Sequence, residues 1–318
     1  MLSPSRLALP VPPEAAGERL SAFLQGQELP AGSTLSQKKA RTLCDLGAIG
    51  LDGVIAPSTA RLDAGQTLTW APTLVALTLQ LGIAVAYDDG AALVLHKPAG
   101  LAVHKGPLVE HSVASALART LPGAGLAQRI DREASGLLLV GRDPAALRAL
   151  GIAMEAGAID REYLAIVHGE LADDHRTIDL PLLVTDEPRG NQPKTVVDAK
   201  GQRSVSHVTT IARRKGASLV RVALETGRTH QIRAHLRAIG HPLLGDPRYG
   251  DAAANERARS TFGVQRTLLH GARLRFPAPA SGAQVTVEAL HELEFVRLFP
   301  QLGRSGGTRG PAGHGFWT

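Results

Sequence analysis

The chain has 318 residues, a formal net charge of +6 and a sequence pI near 9.8. That length allows two domains with a sizeable core, and the basic charge favours a polyanionic partner. The single cysteine, Cys44, excludes an internal disulfide, and no uninterrupted apolar run is long enough to predict a membrane span. We therefore expect a soluble, cytoplasmic protein, and we expect it to be a monomer.

The first part of the chain predicts a short leader followed by a compact helical module. Residues 1–13 are expected to be a disordered leader. Leu20, Phe23 and Leu24 recur at helical spacing, and a second helix is predicted to begin near Ser36, which can act as its N-cap. Apolar and basic residues lie on opposite sides of this helix: Ala40, Leu43 and Leu46 on one, Lys38, Lys39 and Arg41 on the other. The basic side can bind phosphates, or it can simply be a solvated surface.

The domain boundaries follow from changes in this pattern. The predicted segments are a small α/β domain at 14–71, a linker at 72–80, a larger domain at 81–302 and a glycine-rich, disordered tail at 303–318. Strand-like runs and helices in the larger domain are expected at Leu93–Leu95, Leu137–Val140, Pro144–Glu155, Thr229–Ile239, Thr267–Phe276 and Gln284–Glu288. Because strands and helices do not alternate strictly, we predict an α+β fold with a mixed, largely antiparallel sheet.

A charged triplet precedes one of the predicted strands. In the segment QRIDREASGLLLVGRD, Asp131 stands between Arg129 and Arg132, and a short turn leads into the apolar run. Charges at the mouth of a buried strand are costly to desolvate unless they pair or react. A surface ion-pair cluster is the alternative interpretation of this pattern when it is taken alone.

Two further segments carry polar side chains next to predicted strands. Lys97 and Pro98 begin a basic, glycine-containing turn, which taken alone is typical of a solvated loop. In REYLAIVHG, Tyr163, Ala165 and Val167 share one strand face. An isolated tyrosine in this position is typical of a core aromatic whose hydroxyl lies at the edge.

The segment LETGRTHQIRAHLRAIGHPLLGDPRYG predicts a helix with an anion-binding end. Its apolar residues recur on one face: Ile232, Leu236 and Ile239. Arg233 lies on another face, and Arg228 and His230 lie at the N-terminal end, where backbone N–H groups favour an anion. The segment is therefore suited to bind a phosphate or to pair with a carboxylate.

Three histidines in the same segment raise the question of a metal site. His230, His235 and His241 are five and six positions apart, a spacing that does not place them on one helical face. No cysteine or carboxylate set in the segment completes a tetrahedral site. We therefore expect no metal.

Taken together, these segments strongly resemble the RluA-type family of pseudouridine synthases. Four motifs carry the resemblance, in the family's order between Asp88 and Leu298: HKPAGLAVH, RIDREASGLLLVGRD, REYLAIVHG and LETGRTHQIRAHLRAIGHPLLGDPRYG. The N-terminal module also resembles the ribosomal-protein-S-four-like RNA-binding domain, through RLSAFL, LSQKKARTLCDLGAIGLDG and LDAGQTLTW. Two positions depart from the family's usual pattern, since Gln128 stands where it commonly has histidine and Ala134 where it commonly has threonine.

The resemblance implies that uridine in RNA is isomerised to pseudouridine, without a metal or an organic cofactor. The expected fold is a pseudouridine-synthase-like catalytic domain behind a small RNA-binding domain. Asp131 is then the nucleophile or ion-pairing carboxylate that opens the glycosidic bond, and Arg233 is its cationic partner. Tyr163 would stack on the flipped base and could serve as a proton-transfer base, and Arg129 would fill the gap that the base leaves.

The remaining RNA contacts are expected from basic residues: Arg228 and His230 beside the site, and Lys38, Lys39 and Arg41 in the N-terminal domain. The implied target is structured RNA, in the first place large-subunit ribosomal RNA, with transfer RNA as the alternative. Two other classes of protein stay open. One is a catalytically silent RNA-binding or ribosome-assembly factor. The other is an N-glycosidase, which would need a second carboxylate, and Glu133 is the close candidate.

Overall fold

Two β-sheets organise the computed structural model of the protein, which describes residues 7–29, 33–105, 111–185, 194–289 and 292–302. The elements of the N-terminal part are β1 (Leu7–Pro10), a 3-10 helix (Pro13–Ala15), α1 (Leu20–Phe23), β2 (Glu28–Leu29), β3 (Ser33–Thr34), α2 (Gln37–Asp45), β4 (Ile49–Leu51), β5 (Val54–Ile55), β6 (Thr67–Trp70) and α3 (Pro72–Leu81). Four of these strands form one sheet in the order β1-β6-β4-β5.

Strand β1 shows that the expected disordered leader was wrong for residues 7–13. The strand pairs antiparallel with β6 along its whole length and forms the edge of the small sheet. Pro10 is tolerated there because an edge strand needs hydrogen bonds on one side only. Val11, which follows, is 2% exposed and belongs to the N-terminal core. Residues 1–6 and the predicted tail at 303–318 lie outside the described residues.

Helix α2 confirms the predicted two-sided helix. The Ser36 hydroxyl accepts the backbone N–H of Lys39 at 3.4 Å and so caps the first turn. Ala40 and Leu43 are fully buried in the N-terminal core. The basic side chains opposite them are exposed: Lys38, Lys39 and Arg41. The helix therefore presents its charges to solvent without disturbing the core.

Helix α3 occupies the segment that was expected to be a linker. Pro72 begins it, where the missing N–H costs little, and Gly82 ends it in the left-handed conformation with φ 60°. Val75 packs into the N-terminal core, whereas Leu74 and Leu77 pack into the main core of the larger domain. The linker prediction was wrong because a helix buried on two sides lacks the polar face by which amphipathic helices are recognised.

The elements of the larger domain are β7 (Ala84–Asp88), β8 (Ala92–Lys97), α4 (Val113–Thr120), β9 (Gly125–Leu126), β10 (Ser135–Gly141), α5 (Pro144–Glu155), β11 (Asp160–His168), β12 (His175–Asp179), β13 (Leu182–Thr185), β14 (Lys194–Val197), β15 (Val205–Arg214), β16 (Ala217–Leu224), α6 (Gln231–Ala238), α7 (Ala252–Phe262), β17 (Leu269–Pro277), β18 (Gln284–Glu288) and α8 (Leu293–Leu298). Ten strands form one sheet along the path β12-β15-β16-β11-β17-β10-β8-β7, with β9 beside β10 and β18 beside β17. Among the strand pairs of the described residues, β10 and β17 alone run parallel. The predicted mixed, largely antiparallel α+β fold is thus confirmed.

The parallel pairing of β10 with β17 fixes the end of the loop that carries Asp131. Ser135 and Gly136 lie opposite His270 and Gly271. Gly136 has φ 113°, and a Cβ atom at this position would collide with the backbone of Gly271. Since only glycine fits so close an approach, β10 starts at a fixed point just after the Asp131 turn.

Strand β11 separates two cores. Tyr163, Ala165 and Val167 pack on one face, in the main core that also contains residues of α4 and α6. Leu164 and Ile166 pack on the other face, against residues of α7 and α8. This alternation confirms the predicted strand faces.

The sequence predicts Thr229 as the N-cap of helix α6, and the structure places this cap one residue later. His230, and not Thr229, is the N-cap residue, and it has left-handed backbone with φ 53°. Ile232 and Leu236 are buried in the main core, as the helical spacing predicted. The short loop before the helix therefore turns sharply at His230 and brings this side chain close to the Asp131 loop.

Candidate active site

A cleft of about 600 Å³ opens between the loop before β10, the start of β11 and the N-terminus of α6. The three predicted catalytic residues line it: Asp131, Tyr163 and Arg233. Three predicted RNA-binding residues line it as well: Arg129, Arg228 and His230. The other three, Lys38, Lys39 and Arg41, lie on α2 and are not among the lining residues. Motifs that are 102 positions apart in the chain, at Asp131 and Arg233, thus meet in one site.

Asp131 lies in a turn that the surrounding backbone holds in place. The N–H of Ala134 donates to the Asp131 carbonyl at 3.2 Å, and Ile130 is 7% exposed. The side-chain amide of Gln128 donates to the carbonyl of Leu137 at 3.3 Å, which ties the start of the loop to β10. The Asp131 side chain is 21% exposed, so its carboxylate reaches the cleft while it stays partly shielded from water.

Lys97 fixes a neighbouring loop to this turn. It is fully buried, and its ammonium group donates to the carbonyl oxygens of Pro98, Leu101 and Arg132 at 2.8, 2.9 and 3.1 Å. Burial lowers the pKa of Lys97 to about 7. The interpretation of this segment as a solvated basic turn is wrong for Lys97, because the turn wraps its carbonyls around the amine.

Arg233 joins Asp131 to a second carboxylate. Its Nη1 donates to Asp131 Oδ2 at 3.0 Å, while Nε and Nη2 donate to the two oxygens of Asp246 at 2.7 and 2.9 Å. The Arg233 side chain is 3% exposed and that of Asp246 is fully buried. Burial acts to raise the pKa of Asp246, but the hydrogen bonds and the charge of Arg233, together with two backbone N–H donors, hold that pKa below its ordinary value. A fixed cation therefore faces the Asp131 carboxylate.

A network around the Arg233 guanidinium includes Tyr249 and His230. The backbone N–H groups of Arg248 and Tyr249 donate to Asp246 at 2.9 and 3.0 Å. The guanidinium carbon lies 4.8 Å from the centre of the Tyr249 ring, and the Tyr249 hydroxyl lies 3.0 Å from His230 Nδ1. Asp246 and Tyr249 were not predicted as site residues, although both stand in the GDPRYG turn that ends the last of the four motifs.

Tyr163 lies at a register shift between β11 and β17. Glu162 pairs with Arg273 but Tyr163 pairs with Gly271, so one residue of β17 bulges at this point. Tyr163 is 7% exposed, and burial raises its pKa to about 12. A phenol with that pKa is protonated at neutral pH. It can stack and donate a hydrogen bond, but it is poorly suited to accept a proton, which argues against the base role considered from the sequence.

The rim of the cleft is basic. Arg129 and Arg228 are exposed there, although their contact with RNA remains a prediction. Three further basic residues line the cleft and were not predicted as site residues: His104, Lys105 and Arg161. Arg161 could have been found, because it stands two residues before Tyr163 on the same strand and so shares its face.

A cluster of possible metal ligands lies outside the cleft. His96, His270 and Glu292 each place one ligand atom within 4.8 Å of the others. The guanidinium of Arg266 lies 3.8 Å from Glu292, and Ser135 Oγ lies 2.9 Å from His270 Nδ1. Because a resident guanidinium competes with any cation for this carboxylate, the cluster fits an ion-pair network better than a metal site.

The site combines a shielded carboxylate, a fixed cation and a neutral phenol below a basic rim. Such a carboxylate can act as a nucleophile, the phenol can stack on a base and the rim can hold phosphates. This combination suits an enzyme that acts on one nucleotide within a polynucleotide.

Known proteins with similar sequences carry the same kind of activity. The family model described as RNA pseudouridylate synthase matches residues 91–238. The chain is 30% identical to ribosomal large subunit pseudouridine synthase C of Salmonella typhimurium, over 90% of this chain and 93% of that protein. It is 36% identical to ribosomal large subunit pseudouridine synthase D of Zymomonas mobilis, over 69% of this chain and 72% of that protein.

A solved structure shows the same fold. Human RNA Pseudouridylate Synthase Domain Containing 4 superposes with a TM-score of 0.57 at 20% identity, over 72% of this chain and 96% of that one. The chain belongs to the RNA pseudouridine synthase family, in its RluA-type branch. It is therefore an isomerase that acts on RNA.

The two departures from the family pattern lie beside Asp131 without touching its ion pair. Gln128 bonds to β10 through its amide nitrogen, and its Oε1 is buried without a hydrogen-bond partner among the described residues. Ala134 is 1% exposed and has no hydroxyl to offer the turn. Both positions affect how the loop is held, whereas the Arg233 contact is intact.

Proposed function

We propose that the protein isomerises specific uridines to pseudouridine in large-subunit ribosomal RNA. Support for this target comes from the names of the similar bacterial proteins, which act on the large ribosomal subunit. We further propose that it works as a monomer in the cytoplasm. Within the described residues, no helix is long and apolar enough to cross a membrane.

The proposed chemistry assigns each residue of the cleft a task. The uridine is flipped out of its helix, and Arg129 fills the gap with its planar guanidinium. Asp131 opens the bond between N1 and the anomeric carbon, while Arg233 pairs with this carboxylate and orients it. Tyr163 stacks on the freed base, which turns and reattaches through C5. C5 loses a proton and N1 gains one, so the product has the mass of the substrate.

One observation carries this proposal above the others. The Asp131 carboxylate is only partly exposed, and it is held at 3.0 Å by an arginine that a second, fully buried carboxylate fixes from its other edge. An ion pair held in this way costs desolvation energy, which a purely structural surface cluster would avoid. The intact pair also argues against a catalytically silent RNA-binding factor.

The N-terminal domain is proposed to bind the same RNA outside the cleft. Its helix α2 exposes Lys38, Lys39 and Arg41 on one side and buries its apolar side. Such a surface can contact phosphates without reading sequence, so it would add affinity for large RNA and leave the chemistry to the cleft.

The decisive test replaces Asp131 by Asn, which keeps the shape and removes the charge. Purified Asp131→Asn should form no pseudouridine in ribosomal RNA, while it still folds and binds RNA. The matched control is Asp160→Asn, whose carboxylate is 59% exposed and pairs with Arg275 away from the cleft; it should keep full activity. Pseudouridine formed by Asp131→Asn would refute the assignment.

The target is tested by mapping pseudouridine across cellular RNA with and without the gene. Sites that disappear from large-subunit ribosomal RNA and return with the wild-type gene, but not with Asp131→Asn, would support the proposal. Loss of sites from transfer RNA alone would move the target to the alternative. Free uracil among the products would instead indicate an N-glycosidase.

A further inference from the structure

His230 has an unusual backbone conformation and one nitrogen that is already engaged. It is one of three residues other than glycine with positive φ in the described chain. Its Nδ1 lies 3.0 Å from the Tyr249 hydroxyl, whereas its Nε2 makes no hydrogen bond to the residues that the structure describes. His230 lines the cleft that contains Asp131 and Tyr163. A side chain held on one nitrogen and open on the other is arranged to meet a ligand.

The hydrogen bonds of Tyr249 determine which nitrogen of His230 carries the proton. The backbone N–H of Thr195 donates to the Tyr249 hydroxyl at 2.8 Å, so the oxygen accepts in this contact. Tyr249 is 1% exposed, and a buried hydroxyl proton without an acceptor is costly. His230 Nδ1 is the acceptor within reach, and it can accept only when it is unprotonated.

The imidazole is neutral in this setting. Burial lowers the pKa of His230, and Arg233 adds to that effect while Asp131 opposes it. A neutral imidazole whose Nδ1 accepts a hydrogen bond carries its proton on Nε2. The open side of His230 is therefore an N–H donor, in one fixed tautomer.

We propose that His230 donates a hydrogen bond from Nε2 to a carbonyl oxygen of the flipped uracil, and that Tyr249 is the positioning residue that fixes this tautomer. This inference rests on the proposed function. When the bond between N1 and the anomeric carbon breaks, its electron pair stays on the base, and the carbonyl oxygens carry part of the negative charge. If Asp131 adds to the base first, charge also develops on these oxygens, so either route gains from the donor.

The same geometry argues against two other tasks for His230. A general base needs a free lone pair, and the proton on Nε2 occupies it. A phosphate contact, which the sequence suggested, would use the same donor but would act on binding instead of turnover. The hydrogen bond transfers no proton, so His230 ends the reaction as it began.

The left-handed backbone decides which substitution is informative. Alanine at φ 53° is strained, whereas glycine adopts this conformation readily and asparagine tolerates it. His230→Gly therefore removes the donor with little strain, and His230→Asn puts an amide donor back. Tyr249→Phe removes the hydroxyl and keeps the ring beside Arg233. Tyr87→Phe is the matched control, because its hydroxyl bonds to Asp89 and Tyr87 does not line the cleft.

The first experiment is a double-mutant cycle on pseudouridine formation. His230→Gly should lower kcat about 100-fold with little change in KM, as for loss of one fixed donor to a developing anion. His230→Asn should recover part of this loss. Tyr249→Phe should lower kcat about tenfold, since it frees the tautomer, and should have no further effect in the His230→Gly background. Tyr87→Phe should match wild type.

The proposal would be overturned if the losses of kcat from Tyr249→Phe and His230→Gly were additive. It would also be overturned if His230→Gly raised KM and left kcat unchanged. All variants are first compared with wild type by thermal unfolding, so that a folding defect is recognised. Wild-type turnover and the Asp131→Asn result test the proposed function separately. If the wild type is active and the two substitutions act additively, only the proposed role of His230 is refuted, and the proposed function stands.

The second experiment identifies the acceptor. RNA with 2-thiouridine or 4-thiouridine at the target position replaces one carbonyl oxygen by sulfur, a weaker acceptor. One of these substrates should slow the wild type more than it slows His230→Gly, because the variant has already lost the contact. If neither substrate shows this difference, His230 does not touch a uracil carbonyl, and a phosphate contact takes its place.

Discussion

Arg233 illustrates how much of the site depends on the shape of a single side chain. Its planar guanidinium contacts Asp246 along one edge and Asp131 with the remaining nitrogen. An ammonium group is a point charge and cannot bridge two carboxylates in this fixed geometry. The position of the Asp131 carboxylate therefore depends on the guanidinium, and not only on its charge.

Replacing Arg233 by Lys tests this dependence. We expect turnover to fall at least about 100-fold, since misplacement of a reacting group by about 1 Å is enough for such a loss. Stability should fall by about 3 kcal/mol, because Asp246 keeps its buried charge and loses its bidentate partner. The control is Arg237→Lys on the same helix, where one contact to the Tyr249 carbonyl changes. Equal effects of the two substitutions on turnover would contradict the argument.

At this scale the sequence pointed to residues that the structure brings together in the cleft, and it missed those that hold them in place. Asp131, Tyr163 and Arg233 follow from motifs and meet in the cleft as expected. Lys97 was missed because a lysine before Pro98 is usually solvated, and the three carbonyls that bury it come from tertiary structure. A contact between backbone segments that are distant in the chain cannot be predicted from the local sequence pattern.

Among the elements, the loop after β8 and the loop before β10 act as one unit through Lys97. The ammonium group donates to carbonyls in both loops, and the N–H of Gly100 donates to the carbonyl of Arg132 at 2.7 Å. The pKa of Lys97, about 7, lies below its ordinary value of 10.5 because of burial. The protonation state of the amine that joins the two loops therefore changes with pH.

The pH dependence of stability measures this link. Between about pH 7 and 10.5 the unfolded chain binds one proton more at this lysine than the folded protein does. Over this range Lys97 therefore raises the free energy of unfolding by about 1.4 kcal/mol per pH unit. The cost of burying the charged lysine is present in full below pH 7 and absent above pH 10.5. Lys97→Met lacks this gain, so its stability relative to wild type should fall steadily as the pH rises.

Denaturant unfolding at several pH values gives the comparison. Lys200→Met, at an exposed position, serves as the control and should show a constant difference from wild type. A constant difference for Lys97→Met as well would mean that its three carbonyl acceptors keep the charged form and that burial has not lowered the pKa.

Elements with sharp end signals were predicted best. Helix α5 begins at Pro144 and ends at Glu155, as expected, because Asp143 caps it and proline suits its first turn. The start of α6 was misplaced, since Thr229 has a typical capping side chain while His230 takes the cap position through a left-handed backbone. Helix α3 was missed altogether because PTLVALTLQL contains no charge to mark a solvent face.

At the scale of the whole molecule, we propose RNA contacts at two exposed basic surfaces of the described residues, one on α2 and one at the rim of the cleft. Neutralising α2 by the triple substitution Lys38→Gln, Lys39→Gln and Arg41→Gln should weaken binding to large RNA. The slope of log affinity against log salt should flatten by roughly two units, at about 0.7 to 0.9 per phosphate contact. Turnover at saturating RNA should stay near that of wild type, because no residue of α2 lines the cleft.

Titrations of one RNA at several salt concentrations supply this slope. A double variant on α7, Arg257→Gln with Arg259→Gln, controls for a general loss of positive charge. Matching slopes for wild type and the α2 variant would show that the N-terminal domain does not contact phosphate. Substitution is preferable to truncation here, because α3 belongs to both cores and cutting beside it would damage the larger domain.

Helix α3 also couples the stability of the two domains. Val75 is inserted in one core and Leu74 and Leu77 in the other, so neither core can open without disturbing the same helix. A ligand that binds only the folded N-terminal domain then stabilises the shared helix by mass action, and through it the catalytic core. RNA held on α2 would thus stabilise the folded catalytic domain as well, even at moments when no uridine occupies the cleft.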